Sequence, residues 1–207
     1  KDLYDAYLSV RDLFALASDT IGLDMKRILF ESTAEELKST DKAQIAITLH
    51  SLSAVAALRG HGVVPQGAAG FSLGEFPALA ASGVLSFESV FRVVKKRGEL
   101  MEEASRLLDD PAGSPGMAAV MGLEFPAAAK AIHDSGLKDL YAVNYNSPTQ
   151  TVVSGTAKAL EEGERILRAA GAKRFIPLKV SGPFHSPLME NARIEFERVI
   201  AQEKFSD

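Results

Sequence analysis

The residues best suited to chemistry in this 207-residue chain lie at positions 70–75, which read Gly-Phe-Ser-Leu-Gly-Glu. An apolar run at 68–71 precedes Ser72, and a helix-forming segment at 73–82 follows it. Glycines on both sides of a serine, where a strand turns sharply into a helix, are typical of a nucleophile elbow. Backbone N–H groups and the helix dipole at that point stabilise developing negative charge. Such a motif arises by chance in about one chain in ten of this size, so other residues must support it.

A second candidate is Arg97, which falls inside the apolar stripe of a helix predicted over residues 87–104. The stripe consists of Phe87, Val90, Phe91, Val94, Met101 and Ala104. An arginine there either lays its aliphatic stem across the edge of the core or holds its guanidinium inward to bind a carboxylate through two hydrogen bonds. The pattern leaves both interpretations open. Gly98, the next residue, leaves room beside the arginine.

The third candidate is His185, in the loop 181–189 that opens the last predicted helix. Two prolines flank it and stiffen the loop, so of the four histidines it is the best placed to reach another site. To act as a general base it needs its Nε2 atom within hydrogen-bond distance of Ser72. The alternative is a loop histidine in solvent.

The composition limits the classes of function. Hydrophobic residues make up 46% and charged residues 24%, as in an ordinary globular enzyme, and the net charge of −4 argues against nucleic-acid binding. No apolar run approaches the ~20 residues of a membrane span, and no signal-peptide pattern opens the chain. Cysteine is absent, which excludes disulfides, thiolate metal sites and cysteine nucleophiles. We therefore expect a cytoplasmic protein without a membrane or nucleic-acid partner and without a metal.

The predicted elements divide the chain into two kinds of structure. Residues 1–112 are mostly helical, with a capping box predicted between Ser32 and Glu35. Beyond a loop rich in turn residues at 109–116, the predicted order is β-α-β-β-α-β, the pattern of a ferredoxin-like unit. Its elements are predicted at 117–122, 126–135, 141–145, 151–154, 157–170 and 174–180, with a turn at 146–149. We predict an α/β protein whose core comprises 1–112 and 180–207, with an inserted ferredoxin-like subdomain at 113–179.

Four separated motifs, taken in chain order, closely resemble the malonyl-CoA:acyl carrier protein transacylases of bacterial type II fatty-acid synthesis. They are the elbow at 70–75, Arg97-Gly98 with Met101 following, Val-Asn-Tyr-Asn-Ser-Pro at 143–148, and Val-Ser-Gly-Pro-Phe-His-Ser-Pro-Leu-Met at 180–189. The resemblance covers essentially the whole chain. It implies an α/β-hydrolase-like core with a parallel sheet and an inserted ferredoxin-like domain.

The resemblance also implies the chemistry. Ser72 would attack the malonyl thioester with His185 as base, and the Leu73 backbone N–H would help to hold the oxyanion. Arg97 would pair with the free carboxylate of malonate, and Phe184 would favour malonyl over methylmalonyl. Coenzyme A would leave, and the phosphopantetheine thiol of acyl carrier protein would take the acyl group in a ping-pong course without a cofactor. We accordingly expect a monomeric enzyme with malonyl-CoA and acyl carrier protein as partners.

The sequence departs from the family pattern in three places. Phe71 stands where the family usually has histidine. The family's N-terminal Gly-Gln-Gly segment, which supports the oxyanion, would precede Lys1, and the family's C-terminal part would follow Asp207. We therefore expect a fragment or trimmed piece. Loss of an oxyanion donor typically lowers the rate ~10²–10³-fold.

Three alternatives use some of the same residues. A malonyl-selective acyltransferase domain of a polyketide synthase is a close relative of the transacylases. A serine hydrolase shares the elbow but needs an acid between the serine and the histidine and gives Arg97 no role. The available acids are Asp109, Asp110, Asp134 and Asp139. A non-catalytic scaffold would instead dock an acidic carrier protein on basic residues that otherwise form an ordinary solvated surface, namely Lys95, Lys96, Lys173 and Arg174.

Overall fold

Residues 1–34 and 36–206 are described by the computed structural model of this chain. They form two compact units, one comprising Lys1–Glu99 with Phe196–Asp207 and the other comprising Leu100–Glu195. In the described part of the chain, no helix is long and apolar enough to cross a membrane.

The first unit is built from helices that pack around one apolar core. The helices are α1 (Asp2–Ala6), α2 (Leu8–Ile21), α3 (Met25–Glu31), α4 (Thr40–Gly60), α5 (Glu75–Ser82), the first part of α6 (Phe87–Arg106) and the last part of α9 (Glu190–Ile200). Short 3₁₀ turns occupy Glu36–Lys38 and Ser72–Gly74. The fully buried side chains at the centre of this core are Val10, Met25, Ile45, Leu49, Leu52, Val90, Phe91, Val93 and Val94.

Helix α6 shows the predicted apolar stripe, with Val90, Phe91 and Val94 entirely buried. A glycine within it permits a close helix contact. A Cβ atom at Gly98 would lie 2.7 Å from the Cα atom of Asp41, a distance that real Cβ atoms do not show. The first turn of α4 therefore packs directly against the backbone of α6 at Gly98.

The second unit contains a four-stranded antiparallel sheet in the order β2-β3-β1-β4. The last part of α6 and the first part of α9 also belong to this unit. Its other elements are β1 (Gly116–Met121), α7 (Phe125–Ser135), β2 (Leu140–Ser147), β3 (Gln150–Gly155), α8 (Ala157–Ala169) and β4 (Arg174–Pro177). Apolar side chains of the strands and of α7 and α8 form one cluster that includes Val120, Ile132, Val153 and Leu167. This order of elements and strands confirms the predicted ferredoxin-like unit.

Several local predictions differ from the structure. The strand expected at 68–71 is not formed within the described residues: Phe71 is extended (φ −100°, ψ 120°), but a strand requires a neighbour to pair with, and the described elements of the first unit are helical. The turn between β2 and β3 is only 148–149, because β2 continues through Ser147, and β4 ends at Pro177 rather than at 180. Of the predicted capping box, Glu35 lies outside the described residues, and Thr33 instead exchanges hydrogen bonds with Glu36.

The α/β class of the prediction holds, and the described sheet is antiparallel. The parallel sheet expected for the core is not formed by the described residues. The sheet and its two helices span 116–177, within the predicted subdomain of 113–179, whereas the two compact units divide at 99/100 and 195/196. The predicted domain boundaries therefore stay a prediction.

Candidate active site

Ser72 lies at the turn that leads into α5, in a backbone conformation rarely adopted by residues with a side chain. Its φ angle is +52°, in the left-handed region. Such a conformation costs about 1–3 kcal/mol and persists only where the surrounding structure enforces it. The 3₁₀ turn Ser72–Gly74 precedes the first residue of α5, Glu75, so the backbone has the sharp turn of a nucleophile elbow.

The two glycines of the motif have different roles. A Cβ atom at Gly70 would lie 1.9 Å from the carbonyl carbon of Gly74 and 2.2 Å from the backbone nitrogen of Glu75. The chain on the two sides of Ser72 therefore touches backbone to backbone, and only glycine fits at position 70. A Cβ atom at Gly74 would meet nothing within 4 Å, so the motif does not require glycine there for space.

Arg97 points toward this turn. Its Nη2 atom lies 3.5 Å from the Oγ atom of Ser72, and its Cζ atom lies 5.6 Å from the centre of the Phe76 ring. Burial lowers the pKa of the guanidinium, and the nearby carboxylate of Glu75 partly opposes that shift. Of the two interpretations of Arg97, the geometry favours the inward one: the charged group lies beside the serine, half-buried and against an aromatic ring.

Gln44, a residue that the sequence patterns do not single out, holds this guanidinium. Arg97 donates from Nη1 to the Oε1 atom of Gln44 at 2.5 Å, and Gln44 is buried near the start of α4. The close contact at Gly98 brings the start of α4 against α6, so the amide of Gln44 can reach the arginine. The available signal was a polar residue at a position of α4 that is followed by the apolar run 45–47.

His185 and Phe184 belong to the second unit. His185 is exposed, and its φ angle of +62° is also left-handed. The ring of Phe184 packs on a small apolar cluster formed by Met101, Ala104, Met189 and Ala192. Ser72, Leu73 and Arg97 thus lie together in the first unit, whereas His185 and Phe184 lie in the second. The pairing of Ser72 with His185 and the selectivity role of Phe184 stay predictions.

The residues that a serine hydrolase or a docking scaffold would use lie at the surface. The four aspartates named for a hydrolase triad are all exposed, and hydrogen bonds from Lys130 and His133 lower the pKa of Asp134. Lys95 and Lys96 both lie within ion-pair distance of Glu99, at 4.0 and 3.3 Å. Among the described residues, no three His, Asp or Glu side chains are grouped as metal ligands.

A strained serine at a tight turn, beside an inward-pointing arginine in an α/β protein, defines a site suited to transferring an acyl group. Residues 10–204 match the family described as "Acyl transferase domain", and the chain belongs to this family.

Similar proteins carry more specific names. The malonyl CoA-acyl carrier protein transacylase of Bacillus subtilis is 39% identical over 203 residues, which cover 97% of this chain and 62% of the relative. The crystal structure of MCAT from Streptococcus pneumoniae superposes with a TM-score of 0.88 at 40% identity, covering 100% of this chain and 66% of that one.

A third structure, described as the holo complex PlMCAT:AntF, a type II PKS acyl-carrier protein with its malonyl-transacylase, superposes with a TM-score of 0.90 at 35% identity. The superposition covers 99% of this chain and 65% of that one. The chain therefore spans slightly less than two thirds of the length of each of these relatives.

Proposed function

We propose that this chain carries the acyl-transfer chemistry of a malonyl-CoA:acyl carrier protein transacylase, which supplies malonyl groups for fatty-acid elongation. The observation that carries the proposal is the distance of 3.5 Å between the Arg97 guanidinium and the hydroxyl of Ser72, which itself has a left-handed backbone conformation. The names of the relatives support malonyl as the acyl group.

The first half-reaction forms an ester on Ser72. Its Oγ atom attacks the thioester carbonyl of malonyl-CoA while its proton passes to His185, and the carbonyl oxygen becomes the oxyanion of a tetrahedral intermediate. Leu73 is the second residue of a 3₁₀ turn, where backbone N–H groups have no acceptor within the helix, so its N–H can bind that oxyanion. The carbon–sulfur bond then breaks, and coenzyme A leaves with the proton from His185.

The second half-reaction reverses these steps with a different thiol. The phosphopantetheine thiol of acyl carrier protein loses its proton to His185 and attacks the malonyl ester, and Ser72 recovers its proton as the ester bond breaks. No metal or redox cofactor enters this course. The complex of a relative with its acyl-carrier protein supports a carrier protein as the acceptor.

The position of Arg97 supports a preference for malonyl groups. The free carboxylate of malonate is one methylene away from the carbonyl that Ser72 attacks, so a guanidinium beside the serine hydroxyl is at a suitable distance to bind it through two hydrogen bonds. Burial disfavours the charged form of Arg97 and so lowers its pKa. A carboxylate bound beside the guanidinium would stabilise that charged form. Acetyl groups would leave the cation without that partner. Phe184 would add selection against branched methylmalonyl groups.

A cytoplasmic setting and a monomeric state are parts of the same proposal, as is the assignment to fatty-acid synthesis. An acyltransferase domain of a polyketide synthase would run the same two half-reactions with another carrier protein. A comparison of holo carrier proteins from the two kinds of synthesis as acceptors distinguishes these contexts.

The test measures the intact mass of the protein after brief mixing with malonyl-CoA or with acetyl-CoA. We expect one malonyl adduct on the unmodified protein and none on Ser72→Ala. Arg97→Ala is expected to lose the preference for malonyl over acetyl. Arg92→Ala is the matched control, because Arg92 lies on the same helix but is exposed and pairs with Glu203 at 3.3 Å.

Two outcomes would contradict the proposal. An adduct that persists in Ser72→Ala would rule out the serine as nucleophile. An adduct that water removes faster than a pantetheine thiol does would identify a hydrolase instead. The relatives are about half as long again as this chain. A negative result is therefore decided by the same measurement on a protein extended to the length of those relatives.

A further inference from the structure

The conformation of His185 requires support from its surroundings. Its φ angle of +62° is uncommon for a residue with a side chain, although histidine tolerates it better than most. A residue in that region keeps its conformation only where neighbouring contacts fix the chain. Within the second unit, two contacts that hold the loop 181–186 come from the last turns of α6, at Glu102 and at Ser105.

Glu102 of α6 holds the start of the loop. The hydroxyl of Ser181 donates a hydrogen bond to the Oε2 atom of Glu102 at 3.1 Å, and the Glu102 side chain is only 16% exposed. The other carboxylate oxygen, Oε1, accepts from the Nε atom of Arg106 at 3.0 Å. The carboxylate is therefore fixed on its own helix by one oxygen and binds the loop with the other.

The next residue of the loop lies directly on α6. A Cβ atom at Gly182 would be 2.1 Å from the Oγ atom of Ser105 and 2.5 Å from the Cε1 atom of Phe184. Ser105 is itself buried and donates to the carbonyl oxygen of Met101 at 2.7 Å, so it offers a fixed surface. The backbone at Gly182 thus has one closely defined position against the helix.

The residues on both sides of His185 form a turn that local hydrogen bonds stabilise. The hydroxyl of Ser186 donates to the carbonyl oxygen of Pro183 at 2.5 Å, and the Met189 N–H donates to the Ser186 carbonyl at 3.0 Å. These bonds are local to the loop and to the short 3₁₀ turn that follows it, Pro187–Met189. They shape the segment that carries His185, but they do not attach it to the rest of the unit. The hydrogen bond between Ser181 and Glu102, in contrast, joins the loop to α6 through a charged group.

We propose that Glu102 is a positioning residue for His185. Its carboxylate holds Ser181, and Gly182 then seats the loop on α6 so that the imidazole of His185 keeps one orientation. The catalytic consequence rests on the proposed function, in which His185 is the general base. The structural consequence, a single environment of the His185 ring, does not depend on it.

The first measurement is a ¹H–¹⁵N spectrum of the histidine rings, which is feasible because the chain has only four histidines. His185→Gln assigns the signals of His185. We expect Glu102→Ala to shift or broaden these signals while those of the other three histidines stay unchanged. Glu102→Gln keeps an oxygen acceptor for Ser181, so its His185 signals should match those of the unmodified protein. The matched control is Glu103→Ala, an exposed residue of the same charge on the same helix.

The second measurement is the rate of malonyl-adduct formation on Ser72. We expect Glu102→Ala to lower it about tenfold, the effect of losing one ordinary hydrogen bond, and Glu102→Gln and Glu103→Ala to leave it near that of the unmodified protein. If neither the unmodified protein nor a protein extended to the length of its relatives forms an adduct, the proposed function fails, whereas the histidine spectra still test the positioning role.

Two results would overturn the inference. One is a Glu102→Ala protein whose His185 signals match those of the unmodified protein. The other is an equal change in Glu102→Ala and Glu103→Ala, which would indicate a general effect of charge on α6. Should Glu102→Ala fail to fold, Ser181→Ala removes the same hydrogen bond and leaves the pair of Glu102 with Arg106 intact, and the same expectations apply to it.

Discussion

The two glycines of the serine motif should respond in opposite directions to the same substitution. In Gly70→Ala, the added Cβ atom would lie 1.9 and 2.0 Å from the carbonyl carbon and oxygen of Gly74. These are backbone atoms that cannot turn aside, so we expect the upper end of the usual overpacking penalty, about 3 kcal/mol. In Gly74→Ala the methyl group enters open space at a φ angle of −61°, and the smaller entropy of the unfolded chain should stabilise the protein by about 0.4–1 kcal/mol.

The measurement is urea unfolding followed by far-ultraviolet circular dichroism, because the chain contains no tryptophan. For a domain of this size, Gly70→Ala should also lower the melting temperature by roughly 6–12 °C. Gly70→Ala should in addition reduce acylation of Ser72, since the contact that it disrupts closes the turn around the serine. Equal effects of the two substitutions, or a stable and fully acylated Gly70→Ala protein, would refute the assignment of the strained turn to this backbone contact.

Three further predictions concern the arginine and its supports. Gln44→Ala should lower the preference for malonyl over acetyl in adduct formation about tenfold or more, since a hydrogen bond to a charged group contributes ~1.5–3 kcal/mol. Arg97→Lys should slow malonyl transfer more than acetyl transfer, because the ammonium keeps the charge but loses the planar two-bond geometry. Gly98→Ala should destabilise the protein by about 1–3 kcal/mol in urea unfolding, whereas Gly60→Ala, whose Cβ atom would meet nothing within 4 Å, should not.

Periodicity and turn chemistry were sufficient to predict most of the second unit. Glycine and proline clusters separate its strands and helices, and each strand carries enough apolar residues to be recognised alone. The ferredoxin-like order therefore followed from local signals. The segment before Ser72 shows the limit of that reasoning: residues 68–71 are apolar, yet a strand is defined by its partner, and a local pattern does not reveal whether one is present.

The candidate site was predictable in its residues but not in its contacts. The sequence predicts a role for Arg97 because a charge interrupts an apolar stripe, and that signal is local to one helix. Gln44 acquires its role only through the approach of α4 to α6, which depends on the missing side chain at Gly98, 54 positions away. Pairings of this kind come from packing between elements, so the sequence of either helix alone does not contain them.

The backbone adds evidence that is independent of any sequence resemblance. Among the described residues, positive φ angles outside glycine occur at Ser72, Asp139 and His185. Asp139 has a structural explanation, because aspartate tolerates this region and its carbonyl oxygen accepts from the Thr156 N–H at 3.2 Å, beside Gly155, at the start of β2. Serine has no such tolerance, and the residue types of the motif around Ser72 do not specify its φ angle. Strain at this residue, enforced by the contact at Gly70, is therefore a separate reason to regard Ser72 as the reacting group.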